Sequence, residues 1–298
     1  MGPQNCLLFM IERWKNSVDN SGFAGVLFTD LSKAFDCLNH RLLIAKLHAY
    51  GFDKSSLKLI LDYLSYRFQR VRVNSAYSSW KEIKDGVPQG SVLGPTLYNI
   101  YSNDLFFFMT IDIINFADDN SPFTYGESIP KVLNQLEGES KILVKWIKDN
   151  SLKANPDKFH LLLSKKDPTL AIKVEGFDIS NEESGTLIGI TLDNSLNFDT
   201  HMTEICSKVS AKLHALARVS NLMTLQKRKN IFYSFIYSQF GYCPLVWMFH
   251  SRKFNNRINR LHERALRLVY HDSKSSFEDL LTQSNTFIIP QKHPNFSY

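Results

Sequence analysis

Ile111-Asp112-Ile113-Ile114-Asn115-Phe116-Ala117-Asp118-Asp119-Asn120-Ser121-Pro122-Phe123-Thr124-Tyr125 sets two short apolar runs, 111–116 and 122–125, on either side of an acidic turn. Two strands that meet at such a turn form a hairpin with carboxylates at its tip. A further apolar run, Gly25-Val26-Leu27-Phe28-Thr29, reads as a buried strand and stops at another acid, Asp30. Alone, Asp30 could be a helix cap and Asp118-Asp119 simple turn formers. A strand end placed beside a tight hairpin can instead bring all three carboxylates together.

Working outward, Arg41 to Tyr50 repeats apolar residues at Leu43, Leu47 and Tyr50 and stops at Gly51, the pattern of a helix with a C-terminal glycine. Ser55-Ser56 open a second helix with Leu57, Ile60, Leu61 and Leu64 inward. Arg70 to Val73 alternates polar and apolar, Asn74-Ser75 mark a turn, and Ser79 to Lys84 returns as the partner strand. Pro95 opens a helix carrying Leu97, Ile100, Tyr101 and Leu105. After the acidic hairpin comes a helix through Val132, Leu136, Leu143, Trp146 and Ile147, then short strands at 159–163, 172–174 and 186–192. Beyond Asn197 the pattern is helical to about Asp279. Strands mixed with helices to about Asp193, then helices alone, predict an α+β domain followed by an α-helical one.

The chain of 298 residues is 44% hydrophobic, enough for a good core. No apolar run reaches the roughly 18 residues that a bilayer span needs, so no membrane is expected. The N-terminus, Met1 to Cys6, lacks the basic and apolar regions of a secretory signal, which predicts an intracellular protein of cytoplasm or nucleus. Cys6, Cys37, Cys206 and Cys243 lie far apart, against a zinc site or disulfide framework. The net charge of +6 is uneven: from Asp199 onward there are 14 Lys/Arg against 6 Asp/Glu, and before it 21 against 23. A basic C-terminal part suits a polyanionic partner, while the acidic positions upstream suit metal.

The residues around the three acids carry more. Phe28-Thr29-Asp30-Leu31-Ser32-Lys33-Ala34-Phe35-Asp36, Gly86-Val87-Pro88-Gln89-Gly90-Ser91-Val92-Leu93-Gly94-Pro95 and Phe116-Ala117-Asp118-Asp119 follow one another in this order. The set closely resembles motifs A, B and C of reverse transcriptases from non-LTR retrotransposons (LINE-type), particularly the jockey-like lineage. Asn103-Asp104-Leu105, Asn155-Pro156-Asp157-Lys158 and Thr186-Leu187-Ile188-Gly189-Ile190 are similar to the segments after motif B, at motif D and at the primer grip. Tyr242 to Trp247 and Leu261 to Ala265 resemble segments downstream of the polymerase, so the likeness runs from about Gly22 to Leu281.

The resemblance implies a reverse-transcriptase palm, a ferredoxin-like antiparallel sheet with helices, over 1–195 with its fingers largely missing. A helical thumb and C-terminal extension would follow over 196–298. It implies an RNA-directed DNA polymerase that uses an RNA template, a DNA primer, deoxynucleoside triphosphates and two Mg2+ ions, or Mn2+ in their place. Two-metal phosphoryl transfer needs hard oxygen ligands converging on ions about 3.5–4 Å apart, which carboxylates supply. By residue, Asp30 and Asp118 match the principal metal ligands and Asp119 the supporting aspartate. Leu31, Phe35, Gln89 and Gly90 match the nucleotide site, with the Phe35 ring guarding against a ribose 2′-OH. Lys158 matches a lysine near the leaving pyrophosphate, a general acid or charge stabiliser.

Arg257, Arg260, Arg264 and Arg267 recur at spacings of three, four and three beside an apolar stripe of Ile258, Leu261, Ala265 and Leu268, a face able to follow a phosphate backbone. Departures are the short segment before Asp30, Phe116 where tyrosine is common, Asn120 where threonine is common, and Ser284 to Tyr298, which looks unrelated. They give the look of a truncated copy of a mobile element. Two alternatives stay open at this point: a catalytically inactive nucleic-acid-binding relic, and an intron-encoded splicing cofactor with a related domain.

Overall fold

The computed structural model describes residues 2–31, 33–117, 119–247 and 252–287. Asp118, one of the expected metal ligands, and the tail from residue 288 lie outside the described residues. The chain divides into two compact units, Arg13–Ile188 and Met1–Glu12 with Gly189–Tyr298. In chain order it begins with α1 (Pro3–Asp19), where the sequence suggested no element, and β1 (Phe23–Phe28). Next come α2 (His40–Ala49), α3 (Lys54–Leu64), β2 (Arg67–Gln69), β3 (Arg72–Val73), β4 (Ala76–Tyr77) and β5 (Lys81–Ile83). These are followed by α4 (Leu93–Ser102), α5 (Leu105–Phe108), β6 (Asp112–Phe116), β7 (Asp119–Gly126), α6 (Ile129–Asp149) and β8 (His160–Leu163).

The main sheet has the order β6-β7-β1-β8, and every neighbouring pair is antiparallel. The third of these strands in sequence lies between the first and second, and helices connect first to second and third to fourth. This is the βαββαβ, ferredoxin-like arrangement expected of the palm. Its core forms because α6 buries Val132, Leu136, Leu143, Val144 and Ile147, which fall on one helical stripe. Each such side chain contributes about 1.5–3 kcal/mol on leaving water. Gly25 brings the helix close: a Cβ there would sit 2.7 Å from Leu163 Cδ2 and 3.0 Å from Leu136 and Val132.

A second apolar cluster gathers Leu43, Leu47, Leu64, Leu97, Tyr98, Tyr101 and Trp146. Leu61 is exposed rather than inward. Within this cluster the segment Asn103-Asp104-Leu105 has a structural role. Asp104 accepts from Lys46 Nζ at 2.8 Å and Trp146 Nε1 at 3.0 Å, tying three helical segments together. Burial pushes the Lys46 amine below its ordinary value, against the pull of Asp104.

The predicted hairpin is longer than expected. It begins at Arg67, which pairs with Ile83, and continues through Arg72 opposite Tyr77 to a turn where Asn74 is left-handed at φ 54°. After β8 come β9 (Ala171–Val174), β10 (Phe177–Ser180), β11 (Ser184–Leu187) and β12 (Ile190–Asp193). The sequence suggested no strand at β10, and the run at 186–192 is broken into two strands by the positive φ of Ile188 and Gly189.

The rest is helical as expected: α7 (Asp199–Val219), α8 (Leu225–Ile231), a π-helical turn at Phe232–Tyr237, α9 (Ser238–Phe240), α10 (Pro244–Trp247), α11 (Arg252–Tyr270) and α12 (Phe277–Ser284). Fully buried on α11 is His262, ringed by Phe232, Tyr237, Phe240 and Phe277 with centroids 5.4–6.3 Å away. Its Nε2 lies 3.3 Å from Thr286 Oγ1, while Nδ1 has no partner among the described residues. Burial drives its pKa down to about 4. Among the described residues no helix is long and apolar enough to cross a membrane.

Candidate active site

Strand register builds the site. β1 pairs with β7 so that Val26 faces Phe123, and the same register continues past the strand in a bridge between Thr29 and Asn120. One step further, Asp30 falls opposite Asp119. On its other side β1 pairs Phe28 with His160 of β8; past the strand the pairing shifts, with Leu31 bridging to Ala154, and Lys158 reaches Asp30 from the intervening turn. That contact is made: Lys158 Nζ donates to Asp30 Oδ2 at 2.6 Å, with the carboxylate side chain 30% exposed. The Asp30 carbonyl also accepts from Asn155 N at 3.3 Å, which ties the short helical turn Pro156–Lys158 to the end of β1.

Local bonds hold the hairpin in this register. Thr29 Oγ1 donates to the Asn120 carbonyl at 2.5 Å, and Asn115 Nδ2 donates to Asn120 Oδ1 at 2.7 Å. Asn120 is buried, so the amide at this position has a partner for its side-chain oxygen. Phe116 pairs with Asp119, and Ala117, at φ 54°, leaves β6 in the left-handed region. Asp119 is thus the first residue of β7 rather than part of the loop.

The nucleotide-site candidates lie on two adjoining loops. Gln89 Nε2 donates to Asp36 Oδ1 at 2.9 Å, linking the motif B loop to the 3-10 turn Ala34–Asp36. No local pattern marks Asp36 for this role beyond its place one residue after Phe35. Gly86 starts the loop at φ 76°, and a Cβ there would lie 2.6 Å from the Asp36 carbonyl. Its own carbonyl is held by His40 Nε2 at 2.8 Å and by Arg67 at 2.5 Å, contacts that no local pattern announces. Gly90 has φ 75° and open space around its Cβ position, so backbone can be approached there.

Phe35 is half-buried and stacks on Tyr98, centroids 4.6 Å apart at 29°. One ring face therefore belongs to the core. The Leu31 side chain is buried in the apolar cluster, so a nucleotide at this position would meet its backbone.

In the helical unit, α11 exposes Arg257, Arg260 and Arg264. Arg267 differs, being half-buried and bonded to Glu263 Oε1 at 2.6 Å. The expected four-arginine stripe is accordingly three exposed cations and one engaged in an ion pair. The buried stripe is Phe254, Ile258, His262, Ala265, Leu266 and Val269, while Leu261 and Leu268 are only half-buried.

Hard carboxylate oxygens from Asp30 and Asp119, at facing positions on adjacent strands, are the donor type that fits a divalent ion held with phosphate oxygens. An antiparallel sheet of this order, with acids at the adjoining ends of its central strands and a lysine alongside, is the arrangement that the motifs led one to expect of a palm. The family model for "Reverse transcriptase (RNA-dependent DNA polymerase)" matches residues 8–192. The chain belongs to the reverse transcriptase family.

Its relatives include "Probable RNA-directed DNA polymerase from transposon BS" of Drosophila melanogaster, 28% identical over 84% of this chain and 29% of that protein. Another is "RNA-directed DNA polymerase from mobile element jockey" of the same organism, 27% identical over 85% of this chain and 29% of that protein. The jockey-like, non-LTR resemblance is therefore borne out, and the chain spans less than a third of the length of these relatives. Apo telomerase from Candida tropicalis overlaps with a TM-score of 0.49 at 12% identity, covering 94% of this chain and 46% of that one.

Proposed function

We propose that the chain performs RNA-directed DNA synthesis: attack of a primer 3′-hydroxyl on the α-phosphate of a deoxynucleoside triphosphate, with release of pyrophosphate. The observation that carries this is the register of β1 with β7, which sets Asp119 opposite Asp30, together with the hydrogen bond from Lys158 to the Asp30 carboxylate. Asp30, Asp118 and Asp119 would hold two Mg2+ ions, which when bound supply charge neutralisation and an activated attacking oxygen.

The chain's own groups do the positioning. Lys158 is bonded to Asp30 and is the cation able to turn toward the leaving pyrophosphate. Gln89, held by Asp36, and the open backbone at Gly90 line the nucleotide, and the free face of Phe35 meets its sugar. Palm and thumb are assigned to 1–195 and 196–298, with Arg257, Arg260 and Arg264 along the duplex backbone. An RNA template and cellular deoxynucleotides place the reaction inside the cell.

Primer extension on an RNA template, with and without Mg2+ and with Asp118→Asn, tests this. Metal-dependent extension lost in the variant is expected; equal extension by both proteins would overturn the metal role of Asp118, and nucleic-acid binding without any extension would favour an inactive relic.

A further inference from the structure

The ribbon β2–β5 carries a broad exposed apolar surface in the unit that holds the candidate site. Phe68, Val71, Val73, Tyr77 and Trp80 are all exposed, on a ribbon too narrow to bury anything itself. A solvated hairpin normally shows polar residues outward, so side chains of this kind mark a contact surface. Charge says which. Residues 67–84 carry five Lys/Arg and one acid. The guanidinium of Arg70 lies between two rings, 4.1 Å from the centroid of Tyr77 and 4.6 Å from that of Trp80, and Arg72 lies 5.4 Å from Tyr77. A planar cation stacked on aromatic faces in solvent presents π surfaces and positive charge at the same spot.

We infer that this ribbon is a binding platform for single-stranded nucleic acid, with Tyr77 and Trp80 stacking on unpaired bases and Arg70 and Arg72 meeting the adjoining phosphates. Base stacking on aromatic side chains beside a basic track is sequence-tolerant and needs no groove. A protein partner would be met by the same apolar residues, but it would leave the excess of cations uncompensated. The position is apt: Arg67, at the ribbon's base, holds the Gly86 carbonyl from which the Gln89 loop departs. A strand lying on the ribbon is therefore joined, through a short rigid link, to the nucleotide loop. The inference rests on the nucleic-acid reading of the protein but assigns a surface that neither the motifs nor the α11 arginines include.

The intact chain can be tested by fluorescence anisotropy with about 20-nucleotide oligo(dT) and oligo(U), and with a blunt duplex of equal length. Trp80 gives a second readout: it is 60% exposed, whereas Trp14, Trp146 and Trp247 are 2%, 4% and 2% exposed. Tryptophan quenching by oligonucleotide thus reports on Trp80, and the Trp80→Phe variant should bind without it.

Tyr77→Ala with Trp80→Ala, and separately Arg70→Gln with Arg72→Gln, should each lower single-strand affinity about tenfold and leave duplex binding nearly unchanged. Thermal melts should match wild type, since these side chains are outside the core. The oligo(dT) and oligo(U) arms tell whether DNA or RNA is preferred. Unchanged single-strand affinity in both double variants, with no quenching, would overturn the platform while leaving the proposed function standing. Loss of a concentration-dependent dimer under those conditions would reassign the ribbon to protein contact. No oligonucleotide binding by the wild-type chain would overturn both readings.

Discussion

The end of the main sheet and the aromatic cage on α11 handle ionisable groups in opposite ways. At the sheet end, carboxylates and a lysine are gathered half in water, with Lys158 paired to Asp30 and the bond from Thr29 fixing the hairpin backbone. In the cage, one histidine is withdrawn from water, faced with rings and held uncharged. The first arrangement keeps charge available for chemistry; the second removes it for packing. A titratable residue in this molecule is read by what its neighbours do to its charge, more than by its type.

The sharpest way to break that comparison is to remove charge from each place. Asp30→Asn should cut extension about a thousandfold, the scale of one major electrostatic stabiliser, with the melting temperature barely altered. An unfolded variant would mean that the sheet end is structural too. His262 should behave in reverse. The unfolded chain protonates near pH 6.5, whereas the folded one resists until about 4. The unfolded state thus binds more protons across that window, and stability is lost as pH falls through it, by up to roughly 3 kcal/mol. His262→Leu should flatten the profile between those values in urea titrations, and an unchanged slope would return the effect to other groups.

Gly86→Ala lies between the extremes. It forces a side chain to φ 76° against the Asp36 backbone, so a cost of about 1–3 kcal/mol is expected, together with weaker nucleotide binding as the Gln89 loop shifts. A variant with normal stability and KM would show that this loop is not pinned there. The smallest effect separates two arginines. Arg264→Gln should reduce the salt dependence of primer-template binding by about one phosphate contact, and Arg267→Gln by less because Glu263 already holds it. Equal slopes would erase the distinction between them.

Much of the sheet end was legible because short periodic strands and the ordered acidic motifs agree with each other. Asp30 and Asp119 come together through the register of β1 with β7 that the alternation of apolar residues enforces, whereas Lys158 is delivered by the turn before β8. The helical unit was harder to phase. Its buried stripe runs through His262, which a count of hydrophobic residues discards, and so the apolar face was placed one position off, at Leu261 and Leu268. The Glu263–Arg267 pair sits at an i, i+4 spacing that helices favour, and it could have been seen. The hold on Gly86 by His40 and Arg67 could not, since it joins residues 46 and 19 positions away.

The order of the main sheet also ranks how its chemistry is lost. β1 is hydrogen-bonded along both edges, and β7 likewise, whereas β8 ends the row. Amides of Val26 and Leu27 should consequently exchange with deuterium among the slowest in this unit, and those of β8 sooner. A partial opening that frays the outer strand would release Lys158 from Asp30 while Asp30 and Asp119 stay in step. Such a molecule would still gather its carboxylates and yet have let go of the cation beside them, so proton or charge delivery to the leaving group is the function with the thinnest thermodynamic protection.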